Sequence, residues 1–319
     1  MTRIGVMGGG AIGCLYGGWL AKSGAHLTIV ARSRHVEAMR AHGLHLTGRD
    51  FDFHIPVTAS VEPSALSDCD LILFCTKTRD TESVASQLAP ILSPGAIVLS
   101  FQNGVDGAER LASILPRTVF SAALFVSCQM EGPGHVKHNG RGDIILGDWF
   151  ADRPEAATRR LQLDAIAATL QRGSIEVSIS DDIKKTLWTK LAMNCGYNAV
   201  SALGRARYER VVASAASHEL MRQVVEELVA VAKADSVVLS FDSVFAQVLS
   251  LGTSMGRAIS STGQDIAAGR LTEIDDLNGY VVRRGKALGV PAPVNETLQR
   301  LVRLLEEAPV DPAFFLGTG

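Results

Sequence analysis

Lys190, Asn194 and Asn198 stand four residues apart in a stretch that is otherwise apolar, with Leu187, Leu191, Ala192, Met193 and Cys195 around them. On a helix of 3.6 residues per turn this spacing makes one polar stripe, drifting about 40° per step. Asparagine is a poor helix former, and a buried amide is costly unless bonded. The stripe therefore reads as the wall of a polar pocket with a lysine in it. A solvent-facing stripe or a hydrogen-bonded helix contact would look the same. A second polar cluster runs from Ser260 to Asp265 and from Thr272 to Tyr280. Ser261 and Asp265 share a face at i, i+4, and Thr272-Glu273 is expected to open a helix. Asp275 and Asp276 would then favour its N-terminus through the helix dipole. Glu273 has the same structural option, or it pairs with a pocket lysine or a substrate hydroxyl.

A third group lies far upstream. Gly8-Gly9-Gly10-Ala11-Ile12-Gly13 follows the apolar run Ile4-Gly5-Val6-Met7 and fits G-x-G-x-x-G between a strand and a helix. Gly8 would allow the turn, Gly10 would let a pyrophosphate approach the backbone, and Gly13 would let helix and strand pack closely. The free N–H groups at the helix start would hold the anion. A plain turn before a core helix has the same glycines. The next strand, residues 26–31, ends at Arg32-Ser33-Arg34, 19 residues past Gly13. An acidic residue at this place binds the ribose 2′-OH of NAD, whereas an arginine accommodates the 2′-phosphate of NADP. Arg32 has no acidic neighbour, so the expected cofactor is NADP(H); a solvated surface arginine is the other reading.

The elements that must position these groups change character along the chain. Strands are expected at 71–76, 96–101 and 119–127, with helices at about 80–92 and 107–115, a hairpin over 132–147, a helix near 155–171 and a strand near 175–179. Continuous apolar runs such as Leu71-Ile72-Leu73-Phe74-Cys75-Thr76 suit strands covered on both faces. Strand and helix alternate, which gives an α/β, Rossmann-type doubly wound sheet over residues 1–180. Ligands in such sheets lie beyond the carboxyl ends of the strands, where Arg32, Lys77, Asn103 and Ser127 fall. From 181 to 319 helical stretches dominate (181–202, 206–234, 240–268, 273–288 and 295–307), followed by an irregular tail at Asp311-Pro312 and Gly317-Thr318-Gly319. This half is expected to be an all-α domain.

Bulk properties exclude several classes. With 319 residues, two domains are the natural expectation. A net charge of −2 gives no electrostatic reason for a nucleic acid or anionic membrane as partner. The five cysteines are odd in number and lack a C-x-x-C, which suits a reducing compartment and argues against a zinc site. His135 and His138 are three apart on an expected strand and so point to opposite faces; no metal is expected. The uncharged run 4–21 is broken by a glycine turn and preceded only by Arg3, so neither a membrane span nor a signal peptide is expected, and the location is read as cytoplasmic.

The chain resembles the ketopantoate reductase (2-dehydropantoate 2-reductase) family over nearly its whole length. The resemblance is carried by Gly8–Gly13, Arg32, Thr76-Lys77, Gln102-Asn103-Gly104, Trp188 through Asn198, Ser260-Ser261 with Gln264-Asp265, and Thr272 through Gly279. It implies a Rossmann domain, a helical domain like the C-terminal domain of 6-phosphogluconate dehydrogenase, and a cleft for NADPH and a 2-oxo acid. It implies Lys190 as proton donor and Glu273 as an acidic group near cofactor and substrate. Asn103, Lys190, Asn194, Asn198 and Ser261 would contact substrate. Gly8 to Gly13 (Gly9, Ala11 and Ile12 included), Arg32, Lys77, Asn103 and Glu273 would serve the cofactor, to which the strand-end reading adds Ser127. Hydride would pass to the ketone carbon while Lys190 protonates the oxygen. The expected partner is the small 2-oxo acid, with a homodimer left open. The chain departs from the family at Ala199, where a proline often stands, at Gly196-Tyr197, and at 204–208, which lacks a further asparagine. These departures bear on the substrate more than on the reaction. Two other readings stand beside this one: reduction of a different 2-oxo acid on the same fold, and a non-catalytic NADP-sensing protein, which would need no proton donor.

Overall fold

The structure, a computed structural model, describes residues 2–307; the irregular tail expected at 311–319 lies outside them. The chain divides into two compact units, Met1–Thr186 and Leu187–Gly319. The first is built from β1 (Arg3–Met7), α1 (Ala11–Lys22), β2 (His26–Val30), α2 (Ser33–His42), β3 (Leu44–Thr47), β4 (Asp52–Ile55), β5 (Thr58–Ser60) and β6 (Leu71–Phe74). It continues with α3 (Thr81–Leu88), β7 (Ile97–Ser100), α4 (Gly107–Ile114), β8 (Thr118–Gly132), β9 (His135–Gly147), α5 (Ala156–Arg172) and β10 (Val177–Ile179).

These strands form one sheet in the order β4-β3-β9-β8-β7-β6-β1-β2-β5, with β10 beside β9. The stretch from β8 to β5 is parallel throughout. The long β8–β9 hairpin is antiparallel, so the expected doubly wound sheet is present with a mixed extension at one edge. Alternation along β6 shows why its sequence is apolar without a break. Leu71 and Leu73 enter the core cluster under α1 and α5, while Ile72 and Phe74 enter the one under α3 and α4. The segment 33–42, to which no element was assigned from the sequence, is α2; only His35, Val36 and Met39 are buried on it.

One buried ion pair closes this unit. Arg159 on α5 donates to both carboxylate oxygens of Asp148 at 2.6 Å and to the Val119 carbonyl of β8 at 2.9 Å. Its side chain is 10% exposed and that of Asp148 11%. Arg159→Ala would strand the Asp148 carboxylate. It is expected to destabilise the protein by about 3–5 kcal/mol, read as a lower denaturation midpoint. A loss below about 1 kcal/mol would mean that the pair behaves as a surface pair does.

The second unit is helical: most of α6 (Ile183–Leu203), then α7 (Tyr208–Ala213), α8 (Ala215–Ala234), α9 (Phe241–Ser254), α10 (Ser261–Ala267), α11 (Asn278–Leu288) and α12 (Pro293–Glu307). Two of the expected long helices are divided, at Ser214 and over residues 255–260, and a serine caps the helix that follows each break. Ser214 accepts from the Ser217 amide at the start of α8, and Ser260 accepts from the Gly263 amide at the start of α10. Each hydroxyl satisfies a helix-start N–H and so makes a new helix begin inside a helical-looking run. The helix expected from 273 starts only at Asn278; residues 273–277 form a turn. Among the described residues, no helix is long and apolar enough to cross a membrane, and no group of His, Cys, Asp or Glu is arranged to hold a metal ion.

Candidate active site

The glycine loop joins β1 to α1. The Gly8 and Gly9 amides donate to the Val30 carbonyl at the end of β2, at 3.1 and 2.9 Å, which ties the loop to the neighbouring strand. Gly8 has φ +111°, which a side chain would strain. A Cβ on Gly13 would lie 2.2 Å from the Gly8 carbonyl oxygen, so α1 leaves β1 at the closest approach a glycine permits. A Cβ on Gly10 would meet nothing within 4 Å. Gly10 precedes α1, whose start has no side-chain cap and no acidic residue in its first turn. Unfilled space over uncapped N–H groups fits a pyrophosphate.

Other strand ends contribute more. Arg32 is exposed at the start of α2. Behind it, His35 is buried and its Nδ1 accepts the Gly134 amide at 3.1 Å; burial, then Arg34 and Arg32, hold its pKa below the ordinary value. Lys77 and Asn103 follow β6 and β7, and their loops are braced against each other. Thr78 Oγ1 donates to the Asn103 carbonyl at 3.2 Å, and Gln102 Nε2 donates to the Thr76 carbonyl at 3.2 Å and to Thr81 Oγ1 at 2.8 Å. Gln102 and Thr81 were not among the expected site residues; a glutamine next to Asn103 was the only signal. Ser127 is displaced from its expected place. It lies inside β8, opposite Gly140 of β9 at a register shift, because β8 runs five residues further than its apolar part.

In the helical unit, α6 carries the stripe. Lys190 is 9% exposed and Asn198 4%, with Asn194 half-buried, so the stripe does not face solvent. Burial lowers the Lys190 pKa to about 8, and the carboxylate of Glu273 opposes that shift. Glu273 lies in the turn before α11 and not at a helix start. Asp275 is likewise no dipole partner: it accepts from Gln299 at 2.6 Å and pairs with Arg303 at 2.6 Å. Asp265 bonds Arg270 at 2.9 Å. Ser260 Oγ donates to the Asn198 carbonyl at 3.1 Å, which fixes the start of α10, and hence exposed Ser261, against α6.

The departures at 196–208 also acquire places. Gly196 faces Val248, whose Cγ1 would lie 3.2 Å from a Cβ there. Tyr197 is fully buried with its ring 4.4 Å from Tyr208. The Tyr208 hydroxyl donates to Asn198 Oδ1 at 3.4 Å. Gly196 and Tyr197 thus belong to the helical core, while the 204–208 stretch supplies a partner for the last asparagine of the stripe.

Residues 4–150 match the family described as Ketopantoate reductase PanE/ApbA, and residues 182–306 match its C-terminal domain. The chain belongs to the ketopantoate reductase family. It is accordingly a nicotinamide-dependent oxidoreductase acting on a CH–OH group. The 2-dehydropantoate 2-reductase of Halobacterium salinarum is 30% identical over 95% of this chain and 99% of its own length. That of Pyrobaculum aerophilum is 31% identical over 94% and 97%. A solved PanE/ApbA family ketopantoate reductase from Ralstonia eutropha JMP134 superposes with a TM-score of 0.87 at 42% identity, covering 96% of this chain and 99% of that one. D-Mandelate dehydrogenase, solved with NADH and anilino(oxo)acetate, superposes with a TM-score of 0.89 at 25% identity, over 96% and 99%.

Proposed function

We propose that the chain reduces 2-dehydropantoate (ketopantoate) to pantoate with NADPH, with Lys190 as proton donor, as a cytoplasmic step towards pantothenate and coenzyme A. The observation that carries this reading is the buried Lys190 on α6, with a pKa of about 8 under the opposed influence of burial and Glu273. A non-catalytic nucleotide sensor would have no use for so costly a group.

The first unit is read as the nucleotide half. Gly8 to Gly13 would hold the pyrophosphate, Arg32 the 2′-phosphate, and Lys77, Asn103 and Ser127 the remainder. Bound, the reduced nicotinamide supplies the hydride. Lys190 holds a proton at the substrate carbonyl oxygen and releases it as negative charge develops there. Asn194, Asn198, Asn103 and Ser261 hold carboxylate and hydroxyl, which supplies the orientation part of the rate. Glu273 keeps Lys190 protonated near neutral pH.

The similarity to D-mandelate dehydrogenase favours a second reading, a different 2-oxo acid on the same machinery. Loss of reduced-nicotinamide absorbance, followed with ketopantoate and with 2-oxo acids bearing alkyl or aryl groups, separates the two. A preference for ketopantoate is expected; turnover of an aryl 2-oxo acid in its place would establish the second. Nucleotide choice has its own test. Arg32→Ala is expected to lower kcat/KM with NADPH roughly tenfold to hundredfold, the worth of a charged hydrogen bond, and to leave NADH kinetics unchanged. Equal use of NADPH and NADH by the unaltered protein would refute the 2′-phosphate role.

A further inference from the structure

We propose that Asn278 is a positioning residue for the Lys190–Glu273 pair, acting through a buried hydrogen-bond chain whose direction is set by Glu227. The proposal rests on the reading of Lys190 as proton donor. Glu227 on α8 accepts from the Val294 and Asn295 amides at 2.8 and 3.0 Å, which anchors the start of α12. It also accepts from Asn295 Nδ2 at 2.8 Å, and that nitrogen's other hydrogen goes to the Val224 carbonyl at 3.2 Å. Asn295 must therefore present its Oδ1 outward, and this oxygen accepts from Asn278 Nδ2 at 3.0 Å. The second Asn278 hydrogen goes to the Cys195 carbonyl of α6 at 3.4 Å.

Both asparagines are fully buried. Flipping Asn278 would set its Oδ1 against two acceptors, so the chain has one direction only. The Asn278 Oδ1 finds no partner among the described residues. A buried acceptor without a partner is costly, and a hydrophobic residue of similar shape would avoid that cost. What the asparagine supplies is a pair of donors at one point in the fold.

That point has chemical meaning. Asn278 is the first residue of α11, directly after the turn that carries Glu273. The turn is closed by the Asp276 and Leu277 amides on the Glu273 carbonyl, at 2.9 and 3.0 Å. Cys195 is next to Asn194 on the helix that carries Lys190. Asn278 thus joins the Glu273 turn to the Lys190 helix. Trp188 and Tyr280 meet edge-on with centroids 5.7 Å apart along the same two helices, an apolar contact that holds distance but not register.

The test is Asn278→Leu, close in size, uncharged and without either donor to Asn295 Oδ1 and the Cys195 carbonyl. A kcat about tenfold to hundredfold lower is expected, as for a misplaced catalytic group, with nucleotide affinity unchanged. The alkaline limb of the kcat–pH profile should move to lower pH, because Lys190 loses part of the Glu273 influence that raises its pKa. Where Asn278→Leu fails to fold, Asn278→Ser is read on the same limb. Glu273→Gln with Asn278→Ser should move the limb no further than Glu273→Gln alone. A lower melting temperature with kcat and the limb both as in the unaltered protein would overturn the proposal and leave Asn278 a packing residue. Full turnover by Lys190→Met would overturn the reading beneath it, so the two failures are distinct.

Discussion

Replacing Lys190 with methionine is expected to lower kcat for ketone reduction by ~10²–10⁴-fold, the usual worth of a positioned general acid, with the nucleotide still bound. Methionine matches the apolar surroundings of α6, so the folded state should survive. The pH profile sharpens the test. The Lys190 pKa is lowered by burial to about 8 and is kept from falling further by Glu273. The proton is present below that value, so reduction should hold from neutral pH up to about 8 and fall as the pH rises through it. Oxidation of the alcohol needs the neutral amine and should rise over the same range. Glu273→Gln removes the upward influence and should shift both limbs to lower pH. Lys190→Arg keeps the charge but holds its proton too tightly to donate; it should be slow and show no limb near 8. Unchanged turnover by Lys190→Met, or a surviving limb in Lys190→Arg, would remove Lys190 from the mechanism.

How far these groups were legible depended on whether their cause was local. The strand at Leu71–Phe74 and the stripe at Lys190, Asn194 and Asn198 were readable, because burial on both faces and burial of one helical face each leave a periodic trace. Gly8 and Gly13 were readable because a turn and a close helix–strand approach leave few other residue types open. The breaks at Ser214 and Ser260 were not readable. A serine inside an apolar helical run looks like any other polar position until its hydroxyl is seen on the amide three residues later. Ser127 was placed at a strand end because the apolar run stops there, yet pairing with β9 carries β8 on to Gly132. Backbone ladders continue where hydrophobicity does not. Gln102, Thr81 and Tyr208 act on partners 10 to 26 residues away, and no period in one stretch encodes such a partner. The family resemblance implied which residues would touch ligands. It implied no role for Glu227, Asn295 or Asn278, whose proposed roles come from bond direction.

Gly13→Ala and Gly10→Ala should part in opposite ways, although the loop places them three residues apart. A methyl at Gly13 would stand 2.2 Å from the Gly8 carbonyl oxygen and 2.7 Å from Val6 Cγ1. Backbone lies on one side and the sheet core on the other, so α1 itself must shift. Overpacking of this kind costs about 1–3 kcal/mol, and the melting temperature should fall with or without ligand. At Gly10 the backbone is ordinary, φ −86°, and a methyl meets nothing within 4 Å. The folded protein should tolerate it with no loss of melting temperature. If the loop is the phosphate cradle, however, the methyl would take space that the phosphates would fill. NADPH affinity should therefore drop at least tenfold, about 1.4 kcal/mol, with KM for the nucleotide rising and the Lys190 pH limb staying in place. Tight nucleotide binding by a stable Gly10→Ala protein would refute the loop as the phosphate cradle and leave its glycines only the turn and the packing to explain. Nucleotide weakening with an unmoved limb would tie the loop to phosphate binding and leave proton transfer with Lys190.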